Sequence, residues 1–138
     1  MNNNYRFTSR SFMLTLLFGG LLSIGCGGQN SGSVSGVVTI DGKPADGLQV
    51  EFIPVDLNNP PALAYTSQGG NYQLIQGRGN RQIPVGDYRV AISVFPETAP
   101  PEIRALKLPP KYASATDTEL KATIQSGTNE INFDLTTH

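Results

Sequence analysis

The sequence predicts an all-β domain built as a sandwich of two sheets, carried behind an N-terminal signal segment. Three observations lead there. Apolar and polar residues alternate with a period of two through most of the chain after Ser33. No segment in that region keeps the 3.6-residue period of an amphipathic helix. One apolar run follows two arginines at the N-terminus and nothing like it recurs. The bulk numbers set further bounds. The chain has 138 residues, enough for one domain, and only 15% are charged, too few for long salt-bridged helices. Lys and Arg number 10 against 11 Asp and Glu, a balance of −1 that gives no basic excess for binding nucleic acid. One Cys rules out an internal disulfide, and one His rules out any site that needs two.

Arg6 and Arg10 are the only charges before Asp41, and residues 12–25 are apolar or small. A positive start, an apolar stretch and small residues at its end make a secretory signal. The stretch is shorter than the ~20 residues of a spanning helix, and Gly19-Gly20 weakens it further. Leu22-Ser-Ile-Gly-Cys26 resembles the lipobox of bacterial lipoproteins. Ile24, Gly25 and Cys26 match that motif, while Ser23 stands where it has Leu. The resemblance implies cleavage between Gly25 and Cys26, diacylglyceryl transfer to the Cys26 thiol, and acylation of the new amine by a chain such as palmitate. The alternatives are an ordinary signal peptide that leaves a free thiol, or a retained anchor helix. Two or three acyl chains, at about 0.8 kcal/mol per buried methylene, anchor stably where one does not. The membrane is therefore the first expected partner. Gly27–Ser33 reads as a flexible tether reaching about 15 Å. In the lipoprotein family an acidic residue after the Cys marks inner-membrane retention; Gly27 points instead to the outer membrane. The expected divisions are 1–25 signal peptide, 26–33 lipidated Cys and tether, and 34–138 sandwich domain. Removing residues 1–25 leaves eight basic and eleven acidic residues, a charge of −3.

The strands follow in order. Val34, Gly36, Val38 and Ile40 share one face, and Asp41-Gly42 before Lys43-Pro44 is strong turn chemistry. Leu48, Val50 and Phe52 form the next inward face. A weaker strand is expected near Leu63–Ser67. Tyr72 and Leu74 alternate with Asn71 and Gln73. Ile83-Pro-Val-Gly86 has the form of a type I turn. Tyr88, Val90, Ile92 and Val94 alternate with Arg89, Ala91 and Ser93. Residues 96–119 hold five Pro and no alternation, a long connection that is either functional or poorly ordered. Leu120, Ala122 and Ile124 precede Ser126-Gly-Thr-Asn129, which is expected to turn an antiparallel hairpin into the strand of Ile131, Phe133 and Leu135. Each strand has one wet face, unlike the continuous apolar strands of a parallel α/β sheet, so the sheets must cover one another.

Taken in sequence, these segments resemble transthyretin-like, or carboxypeptidase regulatory-like, domains. Ser35-Gly-Val-Val-Thr-Ile-Asp-Gly-Lys-Pro-Ala-Asp-Gly-Leu-Gln-Val-Glu-Phe52 is similar to their opening pair of strands. Gly70-Asn-Tyr-Gln-Leu74 and Val85-Gly-Asp-Tyr-Arg-Val90 are similar to two later strands. Leu108-Pro-Pro-Lys-Tyr112, Thr118-Glu-Leu120 and Gly127-Thr-Asn129 resemble the ending found in small bacterial lipoproteins with this domain. The resemblance spans nearly all of 33–135. It implies a seven- or eight-stranded Greek-key β-sandwich and an accessory role in the cell envelope, without a known reaction.

Catalytic chemistry finds little support. The transthyretin relatives that hydrolyse a urate derivative use internal histidines and end in Tyr-Arg-Gly-Ser; this chain ends Asp134-Leu-Thr-Thr-His138. His138 at a frayed terminus cannot hold an imidazole for a Ser–His–Asp arrangement or a zinc ion. Metallocarboxypeptidases carry a related sandwich beside a zinc domain that 113 residues cannot contain. Gly77-Arg-Gly-Asn-Arg81 lacks the Lys-Ser/Thr and following helix of a phosphate loop, and reads as a hairpin tip. Asp41, Asp46 and Asp87 fit turns better than a calcium site, which needs six or more oxygens. Arg104, Lys107, Lys111 and Tyr112 could present a basic loop to an envelope protein or an acidic glycan; alternatively, Pro109-Pro110 and Tyr112 lay the chain over a sheet edge. Tyr65, Tyr72 and Tyr88 could form a sugar-stacking platform, although Tyr72 and Tyr88 fall on inward faces. No cofactor is expected. The sequence thus predicts a non-enzymatic, lipid-anchored display module. Carbohydrate binding is the alternative, and catalysis by paired carboxylates has no candidate pair.

Overall fold

The computed structural model describes residues 30–138. The signal peptide, the Gly25–Cys26 cleavage site, the lipidation of Cys26 and residues 27–29 of the tether lie outside the described residues. In chain order the strands are β1 (Ser31–Ile40), β2 (Lys43–Pro44), β3 (Leu48–Pro54), β4 (Ala62–Tyr65), β5 (Asn71–Gln73), β6 (Ile83–Pro84), β7 (Gly86–Val94), β8 (Lys121–Ile124), β9 (Gly127–Glu130) and β10 (Phe133–Leu135). A short helix α1 (Pro101–Ala105) and a 3-10 turn (Pro110–Tyr112) lie between β7 and β8.

Strict alternation makes β1 the spine of one sheet: Val34, Val38 and Ile40 are buried, with the intervening residues half-exposed. Antiparallel β6, β5 and β2 line one flank of β1 in succession. Parallel β9 and β10 line the other. The second sheet runs β4-β3-β7-β8, antiparallel throughout. Asp41 and Gly42 both take positive φ, 50° and 76°, the two-residue hairpin form that Asp-Gly favours, so β1 turns tightly into β2 as the sequence indicates. Gly36 is needed for another reason, since a Cβ there would collide with the Ile131 carbonyl.

The inward faces meet in one core. Val34, Val38, Leu74, Phe133 and Leu135 come from the first sheet; Leu48, Val50, Phe52, Tyr88, Val90, Ile92 and Ile124 come from the second. Phe52 joins the layers, its ring centroid 6.0 Å from that of Phe133 and tilted 70° to it. Such edge-on aromatic pairs add about 0.5–1.5 kcal/mol beyond the area they bury. At one side the sheets are stitched together by reciprocal backbone bonds between Leu63 and Ile75, 2.9 Å each.

Three expectations are corrected, and one left open is resolved. β1 begins at Ser31, three residues before the expected domain boundary, because Ser31 and Gly32 pair with Pro84 and Ile83. Ile83–Gly86 is not a tight type I turn. Ile83 is fully buried in the first sheet and Gly86 opens β7 in the second, so the chain changes sheet at Val85. The Tyr88 hydroxyl donates to the Pro84 carbonyl at 2.8 Å and ties this corner. Ser126–Asn129 does not close a hairpin. Ile124 and Phe133 face the same core from opposite sheets, so the chain crosses over and runs parallel to β1. Asn129 fixes the crossing by accepting from Gln125 N–H and donating to the Gln125 carbonyl, both at 2.9 Å. Finally, residues 96–119 contain structure. Pro101 starts α1 where a missing N–H costs nothing, and Pro110 starts the 3-10 turn likewise. Just before β8 begins, the buried Thr118 hydroxyl donates to the Val90 carbonyl at 2.7 Å, covering part of the β7 edge.

Candidate functional site

Strand direction sorts the loops into two ends. The end where β1 finishes holds Asp41-Gly42, the β7–α1 connection and α1. Here lies a cleft of about 420 Å³ bordered by Ile40, Lys43, Asp46, Glu102, Ile103 and Leu106. The end where β1 starts holds the β3–β4 loop, the Gly77–Arg81 tip and the two sheet crossings.

The four basic-loop residues differ in what they present. Arg104 sits exposed in the last turn of α1, and Lys107 is exposed beyond it. Lys111 is neutralised by Glu119 at 3.1 Å, the single ion pair among the described residues. Tyr112 is corrected outright: it is 7% exposed and packs in the core, and its hydroxyl lies 3.3 Å from that of Thr136. It pins the C-terminal tail, in keeping with the alternative in which Tyr112 packs against the sandwich.

Asp41 and Asp46 serve turns, whereas Asp87, expected in a turn, lies in β7 opposite Thr123 of β8. Asp41 accepts from the Thr137 hydroxyl at 2.7 Å and from Thr137 N–H at 3.2 Å. These bonds hold its carboxyl below the usual carboxylate range. Asp46 accepts from Gly69 and Gly70 N–H at 2.9 and 2.6 Å, and Asp87 from the Thr123 hydroxyl at 2.6 Å. Asp41 and Asp46 stand at one end of the molecule and Asp87 at the other. Among the described residues no group of three potential ligands gathers.

The three tyrosines part company. Tyr72 and Tyr88 are buried, and burial pushes both phenols above their ordinary range. Tyr72 donates to the Ile131 carbonyl at 2.6 Å. Tyr65 alone is open, 42% exposed, with its ring centroid 4.6 Å from that of Phe95. It borders a shallow depression of about 590 Å³ with Ser35, Ser67, Asn71, Gln73 and Glu130. Phe95 follows the last alternating position of β7, so no periodicity marked it as Tyr65's neighbour.

The Gly77–Arg81 tip is a hairpin end, as its sequence indicates. Gln76 and Asn80 exchange backbone bonds, and Gly77 and Gly79 take φ of 52° and 91°. Arg78 and Arg81 are exposed. The β3–β4 loop carries residues the sequence reading passed over, Val55 at 61% and Leu57 at 90% exposure. They lie past the end of the alternation, among Asp56, Asn58, Asn59, Pro60 and Pro61. Apolar residues inside such a run of turn formers have no inward face to occupy.

No family model and no curated protein matches the chain. Among solved structures it is similar to a DUF3823 family protein from Parabacteroides merdae ATCC 43184, crystallised and solved at 1.80 Å. The identity is 15% and the TM-score 0.42, over 76% of this chain and 45% of that one. The chain therefore spans less than half the length of that neighbour.

Proposed function

We propose that this chain is a non-enzymatic lipoprotein of a bacterial envelope that displays a transthyretin-like, Greek-key sandwich from a lipid anchor at Cys26. The observation that carries the reading is positional. The only thiol closes an apolar leader in a lipobox-like context, five positions before β1 begins at Ser31. The topology supports the fold component: after the β3–β4 hairpin and β5, the chain returns as β7 to lie beside β3, a Greek-key order. The carboxylates at the turns already spend their oxygens on backbone N–H groups and threonine hydroxyls, which supports structural roles for them. Acyl chains supply membrane residence, and Gly27 favours the outer membrane. The test is metabolic labelling with an alkyne fatty acid. Wild type should be marked and Cys26→Ser should not; equal labelling would refute the anchor.

Carbohydrate binding is a second reading, supported by one observation, the open Tyr65 ring beside amide, hydroxyl and carboxylate groups of the shallow depression. Under this reading Tyr65→Ala abolishes retention of the protein on an envelope-glycan affinity column; unchanged retention, or none by wild type, removes it.

A further inference from the structure

The β1-start end of the molecule gathers three features that the sequence keeps far apart. β1 enters there, pairing Ser31 with Pro84 and Gly32 with Gly127. The β3–β4 loop is there too, since Pro54 pairs with Tyr88 and Val55 N–H donates to the Asp87 carbonyl at 2.9 Å, beside the first residues of β7. The Gly77–Arg81 tip adjoins that loop, because Gln76 Nε2 donates to the Pro60 carbonyl at 2.8 Å and the Ser31 hydroxyl donates to Gln82 Oε1 at 3.2 Å. One end thus presents the chain's point of entry, exposed Val55 and Leu57, and exposed Arg78 and Arg81.

We infer that this end is a membrane-contact face, with Leu57 and Val55 dipping into the interfacial layer of the same bilayer that holds the acyl chains of Cys26. The inference rests on the lipid anchor proposed above and adds an orientation to it. Whatever path residues 27–30 take, five positions span at most about 18 Å, so the β1-start end cannot lie far from the bilayer. The ten-residue β1 rises roughly 33 Å, which keeps the opposite end well away. Leu57 is 90% exposed and nothing within the domain covers it. An apolar side chain held at the interface gains the burial that the fold denies it.

The charges agree with this orientation. Arg78, Arg81 and Arg89 stand with Asp56 and Asp87 at the contact end, a slight basic excess, and guanidinium groups suit lipid phosphates. The Asp56 carboxylate is already turned toward Asn58, accepting from its N–H at 3.0 Å and its Nδ2 at 2.8 Å. At the far end Asp41, Asp46, Glu97, Glu102 and Asp134 outnumber Lys43, Arg104 and Lys107. The net negative charge thus sits on the side turned away from anionic headgroups. The contact face itself is near neutral, so apolar insertion carries the docking and anionic lipid is not required.

The test uses the mature acylated protein in phosphatidylcholine vesicles with shallow nitroxide-labelled lipid. Because Cys26 is acylated, Leu57→Cys or Glu102→Cys supplies the only free thiol for an environment-sensitive fluorophore. Both positions are exposed, so neither variant disturbs the core. The probe at position 57 should be quenched at least about fivefold more than the probe at 102, and its emission should shift to the blue. Protein that floats with the vesicles but shows equal quenching at both positions overturns this inference alone. Protein that fails to float overturns the anchor, and this orientation with it.

Discussion

Phe133→Ala removes the ring through which the last strand reaches the opposite sheet. Phe133 is 7% exposed, sits 6.0 Å from the Phe52 ring and stacks at 6.4 Å on Tyr72. Truncating a buried Phe costs about 3–5 kcal/mol, the sum of lost transfer energy and the cavity left behind. The low end applies here, because β10 is only three residues long and its neighbours can partly collapse. About 3 kcal/mol is therefore expected, a large part of the 5–15 kcal/mol that holds a typical domain together. In a domain of this size it corresponds to a fall in Tm of roughly 12–24 °C. The assay is urea unfolding of the mature protein in mild detergent, followed by circular dichroism, with an unchanged slope showing that the denatured state is the same. A loss under about 1 kcal/mol would refute the placement of Phe133 between the sheets.

Three further outcomes follow from the hydrogen bonds. Thr118→Val leaves the buried Val90 carbonyl without the 2.7 Å bond from the threonine hydroxyl, and should cost about 1–3 kcal/mol in the same unfolding assay, whereas Thr116→Val on the surface should cost almost nothing. Asp41 has a lowered folded-state pKa, so its contribution is present above the unfolded value of 3.8 and is lost as pH falls through the folded value; Asp41→Asn should flatten the acid limb of a stability–pH curve below about pH 4. Tyr72 has a raised folded-state pKa, so its contribution is complete below the unfolded value of 10.0 and declines as pH rises above it; Tyr72→Phe should remove that alkaline decline while losing the bond to the Ile131 carbonyl at every pH.

Alternation made the strands legible because burial on one face imposes a period of two wherever a strand borders the core. Val34–Ile40, Leu48–Phe52 and Tyr88–Ile92 are buried on the faces the pattern names. Asp41-Gly42 was legible for a different reason, since few backbone forms suit that pair. The sheet crossings at Val85 and Ser126 were not legible. Pro-x-Gly and Ser-Gly-Thr-Asn spacing says that the chain bends, but which sheet receives the next strand depends on pairing with the distant β1. Tyr112 looked available because it lies in a stretch without periodicity, where the residue's own neighbours cannot signal burial. Leu57 was overlooked for the mirror-image reason: an apolar residue among turn formers gives no period, and only its exposure in the folded domain sets it apart.

The proposed function turns on the anchor, and the proposed orientation rests on it, so the chemical state of Cys26 is the most direct test. Intact mass spectrometry of the protein extracted from its native envelope should find a chain that begins at Cys26, carrying a diacylglyceryl group on sulfur and an acyl chain on the amine. A chain that retains residues 1–25, or one with a free Cys26 thiol, would contradict it.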